Sequence, residues 1–202
     1  MAERGCLEGA EGALAGRPLL VGRRVTRLLM ASGRRRYRHG GMSEDRSYVD
    51  QNTAERERLR ALVEHLDEDE LRTPVNEYWT IAGVLGHIAF WDARVLALAD
   101  KLARGVPFSP SDAEPEDVDW INDASRPLIH AIPPLEAAQL ALRIAEETDA
   151  RVARLPLDRL WPRDPDSPLY PLRASHRGEH LDDVEAAVRA RPGPKGGDAT
   201  PR

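Results

Sequence analysis

The stretch TIAGVLGHIAFWDARVLALADKLARG, residues 80–105, decides the fold class. Val84, Ile88, Trp91, Val95, Leu98 and Leu102 recur at alternating spacings of four and three. That rhythm lines one face of an α-helix and is the seam of a helical bundle, not a strand pattern. Thr80 is a good N-cap and Gly105 a good C-terminal stop. His87 falls three residues after Val84 and four before Trp91, so it borders the buried stripe.

Three more helices follow by the same reasoning. Upstream, Leu59, Leu62, Val63 and Leu66 form an apolar stripe opposite Glu55, Glu57, Arg58 and Glu64, which predicts a helix over about 50–66. The run Asp67-Glu68-Asp69-Glu70 then reads as a solvated loop, with His65 on the surface beside it. Downstream, Ala138, Ala141, Leu142, Ala145, Thr148, Val152 and Leu155 share one side of a helix over about 134–155, started by Pro133-Pro134. The last helix spans about 172–190 and ends before Pro192. Between the second and third helices lies the longest connection, Pro107 to Pro134, with room for a short helix over 117–129 carrying Trp120 and Ile121. A connection of that length suits a crossover better than a tight turn. No strand pattern or internal repeat is found. The expectation is all-α: a four-helix bundle with a long crossover between helices 2 and 3.

Composition narrows the function class. Hydrophobic residues make up 41% of the 202-residue chain. No uninterrupted apolar run approaches the roughly 20 residues of a membrane span, so no membrane partner is expected. Cys6 is the only cysteine, which excludes an intramolecular disulfide and a cysteine zinc cage and makes a cytoplasmic setting the default. Residues 1–41 carry nine arginines against Glu3, Glu8 and Glu11, a balance of +6; since the whole chain is −5, the remainder is −11. An acidic folded part argues against nucleic acid as a partner. The Arg/Gly-rich segment 1–41 reads as a disordered extension, with Met42 as an alternative start, and residues 191–202 read as a disordered tail.

The chemistry concentrates on histidine. His176 and His180 stand one helical turn apart in ASHRGEHLDDV, residues 174–184, on a row that Val184 and Val188 make apolar. Both imidazoles are therefore expected to face the bundle, where each unsatisfied group costs about 1–3 kcal/mol. One resolution is hydrogen bonding to neighbours or buried water. The other is a divalent cation shared with His87. Neutral imidazoles suit zinc, nickel, iron or copper, and three protein ligands leave a coordination position open, as catalytic rather than structural sites do. Glu179 is a candidate for the shell around the ligands or for a general base; Asp92 and Asp183 are weaker candidates of the same kind. His130, with no partner at ligand spacing, reads as a loop or packing residue.

These residues carry a resemblance. Residues 79–92, WTIAGVLGHIAFWD, resemble the second-helix signature of the DinB-like bundles. Residues 176–180, HRGEH, resemble their fourth-helix pair, and 117–122, DVDWIN, their linker. The chain is similar in particular to the branch containing the N-terminal domains of mycothiol-dependent maleylpyruvate isomerases and the bacillithiol-type thiol transferases, over about residues 45–190. The resemblance implies a divalent metal held by His87, His176 and His180, zinc first with nickel or iron as alternatives. It further implies a low-molecular-weight thiol of the mycothiol type as cosubstrate. The isomerase branch places a glutamate where this chain has His176, so the match is closer to the all-histidine transferase pattern. The expected function is metal-dependent thiol S-transfer to a small molecule in detoxification or stress response. A non-catalytic metal- or ligand-binding bundle, which could work as a homodimer, is the alternative.

Overall fold

The computed structural model describes residues 46–109, 112 and 118–191, all within the compact unit Gly40–Arg202. The expected extension over 1–41, the alternative start at Met42, Cys6, the first residue of the expected crossover helix and residues 192–202 of the expected tail lie outside the described residues. Among the described residues there are six α-helices, one 3₁₀ turn and no strand. They are α1 (Ser47–His65), α2 (Glu68–Leu71), α3 (Ile81–Ala103), α4 (Val118–His130), α5 (Pro134–Val152) and α6 (Ala174–Ala190), with the 3₁₀ turn at Leu157–Arg159.

The decisive stretch folds as its caps direct. The Thr80 hydroxyl accepts from Gly83 N at 3.1 Å, and Gly105 takes φ 72° just past the end, the left-handed stop that glycine adopts without a Cβ penalty. By length and composition α3 is apolar enough to cross a membrane, but 67% of its most apolar window is buried inside the bundle. Counting uninterrupted apolar runs overlooked this, because His87, Asp92 and Arg94 break the run without lowering its mean hydropathy far. One register detail differs from expectation. Asp92 is fully buried, whereas Trp91 is only half-buried.

Side-chain pairings set the helix directions. On α3 and α5, Gly86 lies against Ala137, the Asp92 carbonyl accepts from Thr148 Oγ1, and Asp100 pairs with Arg151, so the two helices run parallel. On α1 and α6, Asn52 pairs with the backbone of Ala174 and Arg58 with Asp182 and Glu185, which also run parallel. His87 with His180 and Asp92 with Arg177 make α3 and α6 antiparallel, and Arg56 with Asp149, together with Arg46 with the Ala153 carbonyl, does the same for α1 and α5. Consecutive parallel helices require the chain to retrace about 35 Å, the length of 23 residues at 1.5 Å each. The long crossover between α3 and α5 does this, with α4 packed on α3. Gly86 permits the fit: a Cβ there would stand 2.7 Å from the Ile129 side chain of α4.

The acidic run is not the expected loop. Asp67 Oδ1 accepts from Glu70 N at 2.7 Å and Glu70 Oε2 accepts from Asp67 N at 3.0 Å. This capping box starts α2 and buries Leu71. The D-x-x-E spacing carries that signal; local charge had masked it.

Two apolar clusters fill the interior. One gathers Leu59, Ile81, Leu85, Ile88, Ala141, Ala145, Leu181 and Val184. The other gathers Tyr48, Val95, Leu98, Ala99, Leu102, Val152 and Leu155. Between them every bundle helix contributes buried polar residues: Asn52 from α1, Asp92 from α3, Thr148 and Asp149 from α5, and Arg177 from α6.

Candidate metal centre

The antiparallel packing of α3 against α6 brings together the three histidines singled out in the sequence. The His87 ring centroid lies 5.5 Å from that of His176 and 4.7 Å from that of His180, and the latter two are 4.7 Å apart. One ligand-capable nitrogen from each lies within 4.8 Å of the others, so the set could hold a metal ion. Trp79 and Trp91 flank His87, with ring centroids at 5.5 and 6.3 Å.

His87 is buried, and its Nδ1 has no hydrogen-bond partner. Burial lowers the His87 pKa to about 3, with His180 and Arg173 adding to the effect. Burial and then Arg173 lower that of His180 to about 4. His176 is held well below the range of a free imidazole, again first by burial and next by Arg173. All three rings are therefore neutral near pH 7, the form in which imidazole ligates. Three neutral imidazoles, each with a ligand-capable nitrogen within 4.8 Å of the others, fit a divalent cation in chemistry and in number.

The matching family model, that of the DinB superfamily, covers residues 51–191. The chain belongs to the DinB superfamily. Neither curated proteins nor solved structures yield a match to it.

In this DinB bundle the remaining candidates sit elsewhere. Glu179 and Asp183 are exposed on α6, and the cluster able to hold an ion includes neither. His65 is on the surface, its Nδ1 2.6 Å from the Ala61 carbonyl. His130 is a packing residue, stacked on Trp79 with centroids 5.3 Å apart. It ends α4 instead of lying in a loop.

Asp92 is no free base. Its Oδ1 accepts from Arg173 Nε at 2.7 Å and its Oδ2 from Arg177 Nε at 2.8 Å. Arg177, which the sequence reading passed over, is fully buried and also donates to both oxygens of Asp149, at 2.9 and 3.0 Å. Arg56 completes the layer with a 2.8 Å contact to Asp149 Oδ2. Burial works against the charge on Arg177, and the two carboxylates outweigh it and raise its pKa. A signal for this layer was present. Asp92 lies four after Ile88 and three before Val95, Asp149 four after Ala145 and three before Val152, and Arg177 four before Leu181. Opposite charges at core registers of different helices announce a buried pair, because an unpaired one would not be tolerated there.

Proposed function

We propose that this DinB bundle is a divalent-metal-dependent thiol S-transferase of the mycothiol or bacillithiol type, acting in the cytoplasm on a small-molecule electrophile. The observation that carries the reading is the convergence of His87, His176 and His180 with a buried, unpartnered Nδ1 on His87. These three residues would hold the ion, zinc first, with nickel or iron as alternatives. A bound divalent cation supplies Lewis acidity, which keeps a thiol deprotonated at neutral pH. The chain's own contribution is to keep the three imidazoles neutral by burial and fixed by packing. Trp79 and Trp91 pack edge-on beside His87. Glu179 and Asp183 are exposed and Asp92 is saturated, so we assign no general base.

Elemental analysis of untagged protein against His176→Ala tests the site. About one ion per wild-type chain and loss in the variant is expected; equal substoichiometric metal in both would refute it. Conjugation of monochlorobimane with mycothiol or bacillithiol tests the reaction. A rate equal to buffer with metal fully loaded would leave the second reading, a non-catalytic metal-binding bundle.

A further inference from the structure

Arg173, the residue before α6, reaches the triad from the ionic layer. Its Nε is fastened to Asp92 Oδ1, and its NH2 stands 3.2 Å from His176 Nδ1. A guanidinium has donors only, so Nδ1 is the acceptor of this contact and its lone pair is already engaged. In neutral His176 that is the one lone pair the ring can offer. A cation taking it must displace the Arg173 N–H. Binding through Nε2 instead needs the proton moved onto Nδ1, which then faces Arg173 donor to donor. Either route breaks the contact.

Charge points the same way. All four carboxylate oxygens of Asp92 and Asp149 are engaged by guanidiniums, so none is left to neutralise a cation at the triad. A divalent ion on three neutral ligands would keep its full charge beside Arg173, in a site where uncompensated charge is costly. An anion next to the ion eases both difficulties. It cancels one of the ion's two charges and takes up the N–H that His176 releases, while Asp92 keeps the guanidinium in place.

We propose that Arg173 is a positioning residue that couples cation binding at the triad to a co-bound anion, a thiolate or carboxylate. The inference rests on the metal reading above. Without an anion Arg173 opposes the ion; with one it holds the anion at the position the histidines leave open.

The test is titration of the full chain with cobalt(II), followed by visible absorption and by quenching of Trp79 and Trp91, at constant ionic strength set by a non-coordinating salt. Acetate, 2-mercaptoethanol or neither is added. In wild type either additive, acetate as it stands or 2-mercaptoethanol as the thiolate formed when its proton passes to buffer, is expected to tighten cobalt binding about tenfold. Coupling by acetate alone assigns a carboxylate, and by 2-mercaptoethanol alone a thiolate. Arg173→Met is expected to bind cobalt about tenfold more tightly than wild type without anion and to lose most of the coupling. Arg173→Lys, which keeps the charge, retains part of it and serves if the Met variant does not fold. Wild-type affinity unchanged by both anions, or full coupling surviving in Arg173→Met, overturns the proposal while leaving the metal site standing. No cobalt bound by any form refutes the metal site itself.

Discussion

His176 and Arg177 are neighbours in the chain, yet they enter clusters of opposite character. Arg177 belongs to a layer of ion pairs between Arg56, Asp92, Asp149 and Arg177 that spans four helices. His176 belongs to a triad of neutral rings in which His87 Nδ1 has no partner. In the first cluster all four carboxylate oxygens are engaged by guanidiniums, although Arg56 Nε has no partner. The other gathers three ligand-capable nitrogens within 4.8 Å of one another and could hold a metal ion. Buried polar groups left half-satisfied are rare because each costs about 1–3 kcal/mol. The contrast therefore sets an ion-paired layer that holds the bundle together against three neutral rings that could hold an ion.

The largest effect should come from breaking the ion-paired layer. Arg177→Ala strands Asp92 and Asp149 in the interior and is expected to remove about 3–5 kcal/mol of unfolding free energy in urea titration. A loss under about 1 kcal/mol would mean that the layer is wetter than its full burial indicates.

The triad should respond in the other direction. Zinc at one hundred times its dissociation constant should add about 2.7 kcal/mol to wild-type stability. His87→Leu should remove that increment while raising the stability of the metal-free protein by about 1 kcal/mol, because it deletes an unpartnered buried nitrogen. Equal loss of stability with and without zinc would make His87 an ordinary core residue.

Acid sharpens the distinction further. The folded imidazoles protonate only near pH 3–4 for His87 and His180, whereas unfolded ones do so near 6.5. Between those values the unfolded chain binds more protons, so metal-free stability is whole above about 6.5 and falls progressively toward 4. His180→Gln should flatten this slope; an unchanged slope would place the protonation elsewhere. The smallest effect lies outside both clusters. Asp67→Ala should cost about 1 kcal/mol through the lost α2 cap, with zinc binding untouched.

Much was legible in order along the chain. The four-three rhythm from Val84 to Leu102, Thr80 and Gly105 as its ends, and the one-turn spacing of His176 and His180 are local facts of 3.6-residue geometry. They determined the all-α bundle and pointed to histidines that could share an ion. What they could not show was register between helices. That Asp92 faces α6 while Trp91 only half-enters the core, and that Arg173 reaches both Asp92 and His176, depends on how antiparallel α3 and α6 slide past each other. Charged side chains in a linear reading look solvated, because what neutralises them is far away in sequence. Asp92 and Arg177 are 85 residues apart. Only the packed bundle decided which ionisable groups pair with one another and which three histidines come close enough to hold an ion.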